Sequence, residues 1–258
     1  MKEQPKMGVN RTGVQMSPVN AGEMKDGVAT VMQAATGDNA ALASLRSAYI
    51  AEADQIGSVP MPGTVKGALA TGMSMITGNS PQLLLDKLGE RLAFERAGTR
   101  LYEALITKVQ ALEQEGTATL PLERLLQIRD EEARHFAIVA NAIVSVGGDP
   151  TSQTPCADLV GVESMGLLQT VSDPRTTVAQ SLHAVLVAEL TDNNGWEMLI
   201  ALADQQNHDS MSADFNIALQ HERDHLRQVQ TWFEETTLGS TLPSEPQTDA
   251  GSTPSPLH

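Results

Sequence analysis

The sequence predicts an all-α protein built around four long helices. In four segments, apolar residues recur at alternating steps of three and four, which is the spacing of one helix face. The 258 residues include only 4 Phe, 2 Trp and 2 Tyr, and strands favour such aromatic residues. Gly and Pro cluster between the segments and at both ends, where they interrupt regular structure. With 41% apolar residues, the chain can build a helical core.

The first 80 residues are predicted to form a flexible arm and an N-terminal helical extension. Residues 1–25 carry Gly, Pro, Asn and Lys without a period, which is typical of a flexible segment. One helix is predicted over residues 39–56, and residues 57–81, rich in Gly, Pro, Met and Ser, are predicted to connect it to the rest. The apolar face of that helix holds Leu42, Leu45, Tyr49 and Ala53. Residues 239–258 carry four prolines among Ser and Thr and are predicted to be a disordered tail.

Four long helices are predicted over residues 81–115, 121–146, 174–205 and 210–237, within a domain of residues 81–238. Short turns join the first helix to the second and the third to the fourth, so that they form two antiparallel hairpins. A Gly-Gly-Asp-Pro sequence that begins at Gly147 ends the second helix, and Asp173 is predicted as the N-cap of the third. Residues 147–173 cross between the hairpins and are predicted to contain a short helix at residues 160–168.

Each long helix carries a glutamate near the middle of its apolar face: Glu95, Glu132, Glu189 and Glu222. His135 and His225 each follow one of these glutamates by three residues, so that Glu and His face the same side of the helix. Ionised carboxylates in an apolar core are costly unless they are paired or bind a cation. Because four carboxylates balance two divalent cations and two neutral imidazoles add further ligands, the sequence predicts a site for two metal ions.

Both predicted hairpins repeat one order, with a glutamate on the first helix and Glu-x-x-His on the second. In this order and in the long crossover, residues 86–235 resemble the ferritin-like superfamily, which includes bacterioferritins, rubrerythrins and related di-iron oxidases. The resemblance implies a four-helix bundle with one long crossover between its second and third helices. It also implies the ligand roles: bridging Glu132 and Glu222, terminal Glu95 and Glu189, and one histidine per metal, His135 and His225.

Three further residues near these ligands have open interpretations. Tyr102 matches a tyrosine that often follows the first glutamate in this family, which implies a hydroxyl near the metals and a catalytic role; core packing is the alternative. Asp192 lies one turn after Glu189 and is an outer partner of a histidine ligand, an additional ligand or an exposed residue. Glu131 is either a hydrogen-bond partner for the ring of His225 or a solvated charge.

The remaining charged residues are predicted to be solvated. Arg91 belongs to a predicted charged face of the first long helix, and His183 and His221 are predicted to be helix-surface histidines. The net charge of −15 argues against binding to nucleic-acid backbones and to anionic membranes. The sequence has no apolar run typical of a signal peptide or a membrane span, so a cytoplasmic protein is expected.

The resemblance implies redox chemistry at two iron ions, with O₂ or a peroxide as the partner. Carboxylate and imidazole ligands suit iron and manganese alike, so manganese is the alternative metal. The chain has 1 Cys and hence no Cys-x-x-Cys pair, so no rubredoxin domain of the rubrerythrin type is expected, and an external electron donor is expected. An enzyme of this type is expected to be a monomer or a homodimer. The alternatives are iron oxidation with storage in a closed assembly, and a helical interaction protein without metal.

Overall fold

The computed structural model of this chain describes residues 12–31, 40–54, 56–61, 81–114 and 120–239. All regular structure in these ranges is helical, which confirms the all-α prediction. Besides a 3-10 turn at Val14–Met16, the described helices are α1 (Pro18–Thr30), α2 (Ala40–Glu52), α3 (Pro81–Gln114), α4 (Leu122–Ser145), α5 (Pro155–Ser172), α6 (Val178–Gln205) and α7 (Asp209–Leu238). The predictions for residues 1–11, for most of the connector and for nearly all of the tail lie outside the described residues.

The first of two compact units, residues 3–57, contains α1 and α2. The predicted flexible arm is wrong for residues 18–25, because these residues belong to α1. This helix starts with a proline in its first turn and buries none of its residues, so it has no apolar period by which the sequence would reveal it. The helix predicted over residues 39–56 is present as α2 and ends earlier, at Glu52, with its apolar face exposed.

The second unit begins at Ser58 and contains α3 to α7. Its long helices pack in pairs: α3 with α4, α6 with α7, α3 with α6 and α4 with α7. Because only residues 206–208 separate α6 from α7, these two packed helices run antiparallel. Among the helices in the described part of the chain, none has both the length and the apolar character needed to cross a membrane.

The crossover between α4 and α6 is more helical than the sequence predicts. The short helix expected over residues 160–168 is in fact α5, which packs against both α3 and α6. The hydroxyl of Thr154 caps it by accepting a hydrogen bond from the Ala157 N–H, and Pro155 occupies its first turn. Only three residues of this helix are fully buried, so its apolar stripe is too weak to mark its full length in the sequence.

The start of α6 also differs from the prediction. The helix begins at Val178, and Thr177 rather than Asp173 is its N-cap. The Thr177 hydroxyl accepts a hydrogen bond from the Gln180 N–H, and the Gln180 side chain accepts one from the Thr177 N–H. This reciprocal capping box fixes the start of the helix. Asp173 instead ends α5 and binds the backbone and the guanidinium of Arg175.

Two apolar clusters form the core of the second unit. One includes Leu105, Val109, Leu125, Ile128, Leu182 and Trp232. The other includes Leu84, Leu88, Val139, Trp196, Ala203 and Phe215. On α3, Glu95 lies in the chain between Leu92 of the second cluster and Leu101 of the first. The glutamate of each other long helix also lies between residues of the two clusters, in the same order on α7 and in the reverse order on α4 and α6. The four glutamates therefore form a polar layer enclosed between two apolar clusters.

Candidate metal centre

All six residues predicted as metal ligands are buried in this polar layer. The exposed fractions are 0% for Glu95, Glu222 and His225, 1% for His135, 2% for Glu132 and 3% for Glu189. Each of the four long helices contributes one glutamate, and α4 and α7 each add a histidine one turn later. The helical spacing of three residues thus places Glu and His on the same inward face of the helix.

The ligand atoms form overlapping sets that could each hold one ion. One set, called here the His225 position, consists of Glu132, Glu189, Glu222 and His225. A second set, called the His135 position, consists of Glu95, His135 and Glu222. Within each set the ligand atoms lie within 4.8 Å of one another. Glu222 belongs to both positions, and a third set joins Glu95, Glu132 and Glu222 to Asp192.

Unpartnered polar atoms show that the protein alone does not satisfy this layer. Among the described residues, Glu95 Oε2 and Glu189 Oε2 are buried without a hydrogen-bond partner. His135 Nδ1 and Glu222 Oε1 face each other at 2.5 Å. Buried acceptors without a donor are costly, and cations would satisfy them together. Carboxylate oxygens and imidazole nitrogens are a donor set that suits iron and manganese.

The electrostatics of the layer indicate competition between protons and cations. Burial and the charges of neighbouring carboxylates raise the pKa values of Glu95, Glu132 and Glu189. Burial opposes the charge of Glu222 as well, but hydrogen bonds with the two histidines outweigh it and lower its pKa to about 2. For His225, burial is outweighed by hydrogen bonds to carboxylates, which raise its pKa to about 12. In the metal-free protein, the layer therefore retains protons that a metal would displace.

The ring of His225 is held from outside the cluster by Glu131. Its Nδ1 lies 3.3 Å from Glu132 Oε1 and 3.3 Å from Glu222 Oε2, so this nitrogen faces the cluster. Its Nε2 lies 2.7 Å from Glu131 Oε2. This contact with His225 is the main reason that the pKa of Glu131 falls to about 2. The carboxylate thus orients the ring with Nδ1 towards the ligands.

The ring of His135 has a different outer partner, which sequence reasoning missed. Its Nδ1 faces Glu222, and its Nε2 lies 3.2 Å from His221 Nδ1. His221 is half-buried, and its contact with His135 is not part of its prediction as a helix-surface histidine. The internal repeat contains the signal that would have found it: His221 directly precedes Glu222, as Glu131 directly precedes Glu132.

Tyr102 lies in the same layer and contacts the opposite half of the site. Its hydroxyl donates a hydrogen bond to Glu189 Oε1, on α6, rather than to Glu95 on its own helix. The side chain is 1% exposed. Burial and the nearby carboxylates raise the pKa of Tyr102, so the phenol remains a hydrogen-bond donor. The tyrosine therefore orients a carboxylate of the His225 position.

Arg91 and Asp192 form a buried ion pair at the other side of the layer. Both are nearly inaccessible, at 3% and 2% exposed, so the prediction of Arg91 on a solvated face is wrong. Arg91 Nη1 also lies 3.4 Å from Glu95 Oε1. Gly195 leaves room for the guanidinium, because a Cβ at this position would lie 2.1 Å from Arg91 Nη2. The partner of Asp192 is thus an arginine, and the negative charge near Glu95 is partly compensated by a cation.

No family model, curated protein or solved structure matches this chain. What the cluster can bind therefore follows from its ligand types, their burial and their unpartnered atoms.

A cavity of about 620 Å³ lies next to the ion pair, between α3, α5 and α6. Its walls include Phe94, Val160 and Leu199, and Arg91 also lines it. We call it the α3–α5–α6 cavity. Its size is within the range of about 300–1,000 Å³ that is typical of pockets for small organic molecules.

Proposed function

We propose that this chain is a ferritin-like di-metal carboxylate protein that carries out O₂- or peroxide-dependent redox chemistry. The observation that carries the proposal is the overlap of two buried ligand sets at Glu222, each with an unpartnered carboxylate oxygen, on Glu95 in one set and on Glu189 in the other. Two helix pairs joined by a long crossover, with one Glu and one Glu-x-x-His in each pair, support the ferritin-like topology. Two iron ions are the proposed cofactor, with manganese as the alternative.

In this proposal each ligand has a defined role. Glu222 and Glu132 would hold both ions, Glu95 would be the further carboxylate of the His135 position, and Glu189 would be that of the His225 position. When bound, the ions supply one-electron redox steps towards O₂ or a peroxide. The chain contributes the geometry: Glu131 orients His225, and the two apolar clusters exclude water from the layer. Electrons come from an external donor.

Tyr102 is proposed as the catalytic residue of the site, because its buried hydroxyl donates a hydrogen bond directly to the carboxylate of Glu189. The phenol proton of Tyr102 points at Glu189 and can move to that carboxylate when the charge of the layer changes. The raised pKa of Tyr102 keeps this proton on the phenol in the resting site. The proposed role is therefore to position Glu189 and to hold a proton beside it.

Metal content tests the proposal. We expect two ions per chain in protein produced with iron or manganese, measured by plasma mass spectrometry on the purified full chain. Glu132→Ala and Glu222→Ala should each lose metal, whereas Glu235→Ala, at an exposed position of α7, should retain two ions. Circular dichroism checks that the variants remain helical. Less than one ion per wild-type chain, or unchanged content in both ligand variants, would contradict the proposal.

Iron oxidation with storage is the second candidate, and the net charge of −15 favours it because an acidic surface concentrates divalent cations. The two candidates differ in assembly. Storage requires a closed shell of many subunits, whereas an enzyme is expected to be a monomer or homodimer. Light scattering of the metal-loaded protein separates them, and a closed shell that accumulates many iron ions per chain would favour storage.

A further inference from the structure

The side chains that line the α3–α5–α6 cavity become less exposed from its mouth to its deep end. At the mouth, Leu83, Leu159 and Met198 are 48%, 43% and 65% exposed. Towards the interior the lining side chains are buried, with exposed fractions of 6% for Val160 and 3% for Leu199. A volume of about 620 Å³ is far larger than O₂ or a peroxide requires. The cavity therefore has the size and the apolar walls that an organic molecule needs.

A buried cation lies at the deep end of this cavity. Arg91 lines it and is 3% exposed, and its Cζ lies 4.6 Å from the centre of the Phe94 ring. The ion pairs of Arg91 with Asp192 and Glu95 both involve Nη1. Nη2 lies on the side of Gly195, which itself lines the cavity. The guanidinium thus contacts the metal ligands through one nitrogen and lies against the cavity wall through another.

We propose that the α3–α5–α6 cavity binds an organic carboxylate with an apolar body, and that the carboxylate binds the guanidinium of Arg91. The inference rests on the proposed di-metal function and names the class of its organic substrate. A guanidinium matches a carboxylate in geometry and in charge, and the apolar walls bury the rest of the molecule. Only the side chain of Arg91 would then separate the bound carboxylate from Glu95.

Metal binding strengthens this site, because it takes negative charge away from Arg91. Asp192 and Glu95 are the acidic partners of Arg91, and both also belong to sets of atoms that could hold an ion. Once these carboxylates share their charge with a divalent cation, the buried guanidinium needs another anion. A carboxylate that enters from the cavity supplies it. Binding of the organic acid and binding of metal are therefore expected to support each other.

Calorimetry with matched probes tests the proposal. Octanoate and octan-1-ol have the same apolar body, and only the first carries a carboxylate. With the Mn²⁺-loaded full chain, we expect octanoate to bind about 10- to 100-fold more tightly than octan-1-ol. With metal-free protein, the preference for octanoate should shrink. Equal affinity for the two probes, or a preference that does not depend on metal, would overturn the proposal.

A pair of substitutions on α5 locates the site without changing Arg91 or any ligand. Val160 is buried in the cavity wall, whereas Val162 is 64% exposed on the same helix. Val160→Trp fills the cavity and should abolish octanoate binding, and Val162→Trp should leave it unchanged. Binding that survives Val160→Trp would overturn the assignment. Arg91→Gln should remove the preference for octanoate over octan-1-ol.

Metal content measured on the same samples separates the two possible failures. If wild type and Val160→Trp both hold two ions and octanoate does not bind to wild type, the cavity proposal is wrong and the di-metal function stands. If the wild-type chain holds no metal, the di-metal function and the metal-dependent carboxylate site are both wrong.

Discussion

The two halves of the candidate metal centre repeat one residue pattern but differ in the residues that surround it. In each half, Glu-x-x-His supplies a glutamate and a histidine from one helix. At the His225 position, the outer ring nitrogen contacts the carboxylate of Glu131. At the His135 position, the equivalent nitrogen contacts the imidazole of His221. The two halves therefore have the same Glu-x-x-His spacing, but the residues that contact the outer ring nitrogens, Glu131 and His221, differ in charge.

The difference extends to the terminal carboxylates. Glu189 accepts a hydrogen bond from the neutral hydroxyl of Tyr102, whereas Glu95 lies 3.4 Å from the cationic guanidinium of Arg91. A cation near one ligand weakens its hold on a metal, and a carboxylate behind a histidine strengthens it. We therefore expect the His225 position to bind a divalent ion more tightly than the His135 position.

The largest expected effect is on the number of bound ions, which should fall more when the shared Glu222 is changed than when the terminal Glu95 is changed. Glu222 belongs to both positions, so Glu222→Gln should reduce binding from two ions to less than one. Glu95→Gln should lose only the ion of the His135 position and retain one. Native mass spectrometry counts the ions in each variant. If Glu95→Gln loses both ions, or Glu222→Gln retains two, the assignment of the two positions is wrong.

The next effect concerns the outer partner of His225. Glu131→Gln removes the carboxylate that orients the ring, and such outer partners typically contribute about 10- to 100-fold to metal affinity. In a Co²⁺ titration monitored by visible absorption, we expect the tighter of the two binding steps to weaken by about this factor. Asp130→Asn, at the exposed neighbouring position, is the matched control and should change neither step. If only the weaker step loses affinity, the His135 position rather than the His225 position would be the tighter one, which contradicts our expectation.

A complementary change should make the two halves alike. In His221→Glu, both histidine ligands have a carboxylate as outer partner, so the weaker Co²⁺-binding step should tighten and approach the other. The same titration measures it, and His183→Glu on α6 serves as the control for an added acidic residue. Two steps that remain as far apart as in wild type would show that Arg91, rather than His221, sets the difference.

Proton competition gives a pH dependence with a defined sign. In the metal-free protein His225 has its pKa raised from 6.5 to about 12, and burial raises the pKa of Glu95 and Glu189. Metal binding must displace these protons, so its affinity should rise with pH. The stabilisation from His225 is complete below pH 6.5 and is lost as the pH rises towards 12.

Thermal unfolding checks this expectation. From pH 6.5 to 9, the Tm of the metal-free protein should fall while that of the metal-loaded protein falls less. At the acidic end, Glu131 has its pKa lowered from 4.5 to about 2, so its contribution is present above pH 4.5 and is lost as the pH falls through 2. A metal-free Tm that rises from pH 6.5 to 9 would contradict the assigned protonation states.

The smallest effect is expected for Tyr102→Phe, which removes one hydrogen bond to Glu189. The ring stays packed in the apolar cluster, so the loss of metal affinity at the His225 position should be about tenfold or less. Calorimetric titration with Mn²⁺ measures it. Loss of the ion altogether would indicate that Tyr102 acts on more than one ligand.

How far the sequence predicts the site depends on the kind of signal each residue carries. The sequence predicts the six proposed ligands because burying a charged or polar side chain within an apolar helical stripe is energetically costly, so such a residue, for example Glu132, indicates a specific role. The sequence does not reveal Arg91 and His221 in this way, because both lie beside the stripes. The packing of neighbouring helices buries Arg91 and half-buries His221. α1 and the full length of α5 are missed for a related reason: they bury few or no residues, so periodicity does not mark them.

The central claim is that six buried side chains hold two metal ions around the shared Glu222. Anomalous diffraction from crystals of the iron- or manganese-loaded chain, recorded on both sides of the metal absorption edge, tests it most directly. We expect two anomalous peaks per chain, one beside His225 Nδ1 and one beside His135 Nδ1, with Glu222 within reach of both. A single peak, no peak, or peaks outside the polar layer would contradict it.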